Sequence, residues 1–219
     1  MPLGNNAQGV ARIASAPLHE TPPVFPMLHL ITYPHPTLRY PAKPLARVDA
    51  HLKTLVSEMF DIMYEHRGVG LAATQVNVPI RLFIANPSGE KETGPELVFI
   101  NPVIQRATGT AEAEEGCLSL PGVNAAVKRN KAVRINAYGI EGSEINMDVD
   151  GFLARIIQHE VDHLDGVLFI DRVSEENQKP FIDDLIGFES TFDLKRKAGL
   201  IGTDEQLAQE RRKWEEKYC

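Results

Sequence analysis

Cysteine is nearly absent from this sequence. Cys117 and Cys219 are the only two in 219 residues, too few for a disulfide framework and suited to a reducing compartment. An excess of positive charge is absent too. Lys and Arg number 23 against 30 Asp and Glu, and the formal net charge of -7 argues against a protein whose main task is wrapping nucleic acid, which needs clustered cations. No apolar run approaches the roughly 18 to 20 residues that a membrane helix requires. The first residues lack the charged-then-apolar pattern of a secretory signal, and no internal repeat is present. The reading is a cytoplasmic protein with neither a membrane nor a sequence-specific nucleic-acid partner. What is there is ordinary: hydrophobic residues make up 43% and charged residues 24%, in a chain that one core can serve.

Residues 1–27 hold Pro2, Pro17, Pro22, Pro23 and Pro26 among small and polar residues without a period, which predicts a mobile leader. An organellar transit peptide, and with it an organellar matrix, is disfavoured because Arg12 is the only basic residue before His19. The stretch from Tyr33-Pro34-His35-Pro36 to Pro41 and Pro44 must be extended or turned. From Asp49, a candidate N-cap, the residues Leu52, Leu55, Val56, Met59, Phe60 and Met63 form the stripe of an amphipathic helix over 50–66. It stops before Gly68-Val69-Gly70, where glycine permits close approach. Short β-type runs follow at 80–85, 96–103, 131–140 and 145–149, the third with Val133, Ile135 and Ala137 on one face. A second helix is predicted over 151–164, and charged helical segments over 174–187 and 203–217. This order predicts an α+β fold and not a βαβ alternation. The division is a leader over 1–27, a main domain over 28–190 and a charged helical tail over 191–219.

The chemistry centres on His159-Glu160-Val161-Asp162-His163 in the second helix. Two histidines four apart stand one turn apart on one face, where both rings can reach a single metal ion, with Glu160 beside them to touch a water. A catalytic site needs a third protein ligand and an open position. A His three residues beyond Gly166, as in metzincins, is excluded because Phe169 stands there. Asp183 or Asp184 lies at the distance of a downstream carboxylate ligand, and Cys117 is the remaining candidate. On the helix, 100° per residue puts Ile156 and Phe152 on the metal face, one and two turns upstream of His159, as apolar walls for the substrate pocket. Cys219 reads as a free surface thiol, and His35, His51 and His66 as surface or capping residues.

Three motifs settle the choice by resemblance. Gly68-Val69-Gly70-Leu71-Ala72-Ala73-Thr74-Gln75, Glu115-Gly116-Cys117-Leu118-Ser119 and Gln158-His159-Glu160-Val161-Asp162-His163 occur in the order found in peptide deformylases, and the similarity spans roughly 28–172. The resemblance implies antiparallel sheets packed around the helix that carries the metal motif. It implies Cys117, His159 and His163 as metal ligands, Glu160 as general acid/base, and Gln75 with the Leu118 backbone amide as oxyanion donors. Val69 resembles the family's substrate-contacting position, and Gly70, Glu115 and Gly116 belong to the same pocket. The implied activity is removal of the formyl group from the formyl-methionine of nascent chains. The implied cofactor is one divalent ion, Fe(II) natively, with Zn, Ni or Co as substitutes. Many members carry Arg where Asn124 stands, so substrate anchoring is not carried over to that position. The runs Lys195-Arg196-Lys197 and Arg211-Arg212-Lys213 read as solvated helix faces, with ribosome docking as the alternative.

Overall fold

The computed structural model describes residues 14–15 and 28–219. The leader expected over 1–27 lies outside the described residues except for β1 (Ala14–Ser15), which pairs in parallel with β2 (Arg47–Val48). Helix α1 (Ala50–Glu65) begins where Asp49 Oδ1 accepts the Leu52 amide at 2.8 Å, and all six residues of its predicted stripe are buried. It ends at His66, after which Arg67 adopts a left-handed φ of 57° and turns the chain into the glycine segment.

Strands β3 (Gly70–Ala72), β4 (Leu82–Ala85), β5 (Leu97–Thr108), β8 (Ala132–Tyr138) and β9 (Glu144–Asp150) form an antiparallel sheet in the order β3-β4-β5-β8-β9. Its two faces are covered by different helices. Leu71, Leu82, Ile84 and Ile100 point into a core shared with α1, while Ala72, Phe83, Ala85 and Phe99 point into a second core. That second core includes Ala154, Ile157, Val161 and Leu164 of helix α2 (Gly151–Leu164). Burial on both sides explains why β4 reads as an unbroken apolar run, whereas β8 shows alternation. The architecture is α+β.

Strands β6 (Ala111–Cys117) and β7 (Leu120–Arg129) form a separate antiparallel hairpin that sequence periodicity did not reveal. Its strands hold Ala, Glu and Gly with few β-branched residues, so β-propensity is weak there and tertiary packing decides. Leu120, Val123 and Val127 pack it against Leu168, Phe169 and Ile170 in a third core.

The segment expected as one helix over 174–187 is instead a short helix α3 (Glu175–Gln178), a 3-10 turn containing Pro180, and α4 (Ile182–Lys197). Proline removes a backbone donor and interrupts the run. Lys195, Arg196 and Lys197 occupy the last turn of α4, where cations complement the helix dipole. Helix α5 (Asp204–Tyr218) follows, capped by Thr203, and its Trp214 and Tyr218 lie in the core with α1. His35 is a cap, as expected, but not a surface residue: its ring is buried edge-on against Phe192, and its Nδ1 accepts the Thr37 amide at 3.3 Å.

Candidate metal centre

Helix α2 begins at Gly151, whose φ of 58° turns the chain out of β9, and its buried face then presents His159, Glu160 and His163. The end of β6 brings Cys117 to the same place. The ligand atoms of Cys117, His159 and His163 all lie within 4.8 Å of one another, and Cys117 Sγ is 3.2 Å from His163 Nε2. Asp183 and Asp184 are exposed in the first turn of α4 and are not part of this group. Phe169, the residue that breaks the metzincin pattern, stacks on the His159 ring at 6.2 Å.

A tier of buried charge stands behind the donors. Glu115 Oε2 is 3.0 Å from His159 Nδ1, which fixes the ring so that its other nitrogen faces Cys117 and His163. Arg129, with a side chain only 2% exposed, donates Nε to Glu115 Oε1 at 2.6 Å and Nη2 to Oε2 at 2.9 Å, and its Nη1 reaches Asp162 Oδ2 at 2.7 Å. Asp162 is paired in turn with Arg172. Burial pushes the Glu115 carboxyl up, but the bond to His159 and the Arg129 guanidinium outweigh it and hold the group at about 2.

The two histidines are driven apart. Burial opposes a charge on His159, yet Cys117 and Glu115 beside it raise its pKa to about 10. Burial and the neighbouring His159 carry His163 well below its ordinary value. A cation seated among the donors would compete with protons for the same nitrogen and sulfur atoms. Burial pushes the Glu160 carboxyl up to about 7. Its Oε2 is buried without a hydrogen-bond partner among the described residues, an open acceptor beside the donors. Two borderline imidazoles, a soft thiol and a free carboxylate oxygen fit a divalent ion with a water next to it.

Gly70 allows this approach, because a Cβ there would overlap the Glu160 carboxylate and come within 2.9 Å of Ile156 Cγ2. Gln75 sits in a buried 3-10 turn over Ala73–Val76. Its Oε1 accepts the Ala72 amide at 2.9 Å, which aims Nε2 at Ser119 Oγ (3.2 Å) and Cys117 Sγ (3.5 Å). Leu118 is half-buried, and its Cδ1 would be 2.7 Å from a Cβ on Gly68.

Gln75, Cys117, Leu118, His159 and Glu160 line a cleft of about 500 Å³ that also receives Val69, Gly70, Glu115, Gly116, Phe152 and Ile156. Ile156 is 4% exposed, on the floor, whereas Phe152 is 56% exposed and stands at the rim. Asn124 pairs with Gly116 across the hairpin and reaches the cleft as well. Sequence reasoning did not single out Arg129, Arg155, Asp162 or Ser119. The available signal was Arg129 itself, a charge two residues after Val127 and thus on the inward face of the same strand.

The cleft thus reaches the His159 imidazole, the Cys117 thiol and the Glu160 carboxyl, and His163 completes a donor set that could hold a metal ion. The model of the polypeptide deformylase family matches residues 27–179. A peptide deformylase of Rhodopirellula baltica is 49% identical over 191 residues, covering 87% of this chain and 95% of the relative. A chloroplastic peptide deformylase of Oryza sativa is 44% identical over 68% of this chain and 56% of its own length. A crystal structure of an Arabidopsis thaliana peptide deformylase in complex with an inhibitor shares 39% identity with a TM-score of 0.74, covering 78% of this chain and 94% of that one. The chain belongs to the polypeptide deformylase family and is an enzyme. No helix among the described residues is long and apolar enough to cross a membrane.

Proposed function

We propose that this enzyme removes the formyl group from the N-terminal formyl-methionine of nascent polypeptides, with Cys117, His159 and His163 holding one divalent ion and Glu160 acting as general acid/base. The observation that carries the reading is the convergence of three donor atoms within 4.8 Å beside the unpartnered Glu160 oxygen at the end of a cleft. In this reading α2 is the metal-bearing helix around which the sheets pack. The bound ion supplies polarisation of the formyl oxygen and acidification of water.

The chain's own groups do the rest. Glu160 accepts the water proton and later delivers it to the departing amine, which matches a carboxyl held near neutrality by burial. Gln75 Nε2, already aimed at Cys117 and Ser119, and the Leu118 amide face the oxygen on which negative charge develops. Ile156 and Val69 form an apolar slot for the methionine side chain, with Phe152 at its mouth. The thiolate suits Fe(II), with Zn, Ni or Co as alternatives. The cytoplasm is the proposed site of action, with nascent chains as partners and the ribosome as a docking surface for the basic turns of α4 and α5.

The decisive experiment is formate release from formyl-Met-Ala-Ser by anaerobically purified protein, with metal content measured on the same sample. Turnover that follows divalent metal content supports the reading. Absence of hydrolysis with every added divalent metal overturns it.

A further inference from the structure

Resting on the ligand set proposed above, we infer that Arg155 is a positioning residue that clamps the β6–β7 hairpin to α2 and so sets the distance from Cys117 to the two histidines. The need for a clamp follows from topology. The hairpin shares no ladder with the five-stranded sheet. Its base is fixed by chain continuity, since β5 ends at Thr108 and β8 starts at Ala132, but Cys117 and Leu118 lie at the opposite end. The histidines, in contrast, ride on a helix packed into the main core. No backbone ladder therefore ties the hairpin to α2; beside the third core and the Tyr33 amide on the Ser119 carbonyl, side chains that cross from hairpin to helix set the Cys-to-His separation.

Arg155 lies one turn before His159 on α2, and its side chain is 13% exposed. Its Nη1 donates to Glu115 Oε1 at 2.6 Å and to the Val127 carbonyl at 3.0 Å, while Nη2 donates to the Ala111 carbonyl at 2.9 Å. A single guanidinium thus grips both strands of the hairpin, together with the carboxylate whose other oxygen orients His159. Only a planar fork reaches three acceptors in these directions; a lysine brings the same charge as a point. Arg129 also crosses, from β7 to Asp162, but it is itself buried and makes three bonds to two buried carboxylates, so its loss takes far more out of the interior. After loss of Arg155, Glu115 keeps Arg129. Arg155 is consequently the member whose effect on geometry is separable from folding.

The test compares wild type, Arg155→Met, Arg155→Lys and Cys117→Ala, each loaded anaerobically with Co(II). It reads the thiolate-to-cobalt charge-transfer band, the rate of Co(II) release to a chelator, and the Tm of the metal-free protein. The wild type should show a band that Cys117→Ala lacks. Arg155→Met should show a displaced or weakened band and release Co(II) about tenfold faster, as for the loss of groups that orient metal ligands. Metal-free Tm should fall only slightly, and Arg155→Lys should not recover the wild-type band. A wild-type band and release rate in Arg155→Met overturns the inference, as does full recovery in Arg155→Lys, because charge alone would then suffice. If Arg155→Met does not fold, Arg155→Lys decides by the same two readouts. Absence of a thiolate band in the wild type itself strikes the ligand set, and takes the clamp with it.

Discussion

The two sides of the donor cluster are held by unlike means. On α2, the i, i+4 spacing of His159 and His163 comes from the helix itself, and an apolar face packed on β3, β4 and β8 holds the helix. On the hairpin side, nothing local puts Cys117 where it is. Its place depends on the third core, on the Tyr33 amide bonded to the Ser119 carbonyl at 2.9 Å, and on buried Arg and Glu side chains that cross to α2. One half of the centre is thus specified by short-range periodicity and the other by long-range side-chain ties, so the two halves should fail in different ways.

The largest expected effect separates them outright. Cys117→Ala should lose the metal and reduce formate release to background, whereas Asp183→Ala and Asp184→Ala should leave both unchanged. Glu160→Ala, on the helix side, should retain the metal and lower kcat by on the order of 10³-fold to 10⁴-fold, because it removes a proton acceptor without touching a donor atom. Metal analysis and turnover on the same preparations check this. Metal loss in Glu160→Ala, or retention in Cys117→Ala, would break the division. Next in size is Gln75→Ala, where removal of one oxyanion donor costs about 10²-fold in kcat with little change in KM. A pure KM effect would make Gln75 a ground-state contact.

The same asymmetry decides what was legible in the sequence. Both helices that flank the sheet could be read directly, since an amphipathic stripe and an N-cap such as Asp49 are local signals. The α2 half of the site came with its helix. The hairpin did not, because Ala, Glu and Gly carry no β signal and its register is imposed by packing on Leu168 and Phe169. Cys117 was reached only through a family resemblance in its neighbours. Arg155, Arg129 and Asp162 stayed hidden for a further reason: a charged residue on a helix or strand looks solvated until the structure shows the opposite charge buried against it. Helix break points were legible only in part. Pro180 splits 174–187, although charge composition alone suggested continuity.

A smaller effect tests the apolar part of the helix side. Ile156 lies on the cleft floor beside Gly70, so Ile156→Phe should fill the slot and raise KM for formyl-Met peptides about tenfold with metal content unchanged. Formyl-Ala peptides should suffer less. Phe152→Ala, at the rim, should cost less than the floor substitution. Equal losses for formyl-Met and formyl-Ala peptides in Ile156→Phe would return Ile156 to a packing role.

The smallest effect concerns what steadies the hairpin side. The segment whose Tyr33 amide holds Ser119 turns at His35, and the His35 ring is buried against Phe192 with its Nδ1 accepting the Thr37 amide. Burial, helped by His29, Arg211 and Arg196, lowers the His35 pKa to about 4, and protonation would also put a hydrogen on the nitrogen that caps the turn. The unfolded chain therefore takes up a proton near its ordinary value of about 6.5, while the folded chain refuses it until about 4. Folding stability must fall as pH drops through that window, by at most about 3 kcal/mol once below it, and no such contribution arises above pH 7. Asn at this position keeps a cap acceptor and has no charge to gain. His35→Asn should accordingly show a drop in Tm between pH 7.5 and pH 5 that is smaller than that of the wild type by about 5 °C. Identical Tm profiles for the two proteins would mean that acid weakens the molecule elsewhere, with the buried carboxylates and imidazoles of the α2 side as the place to look.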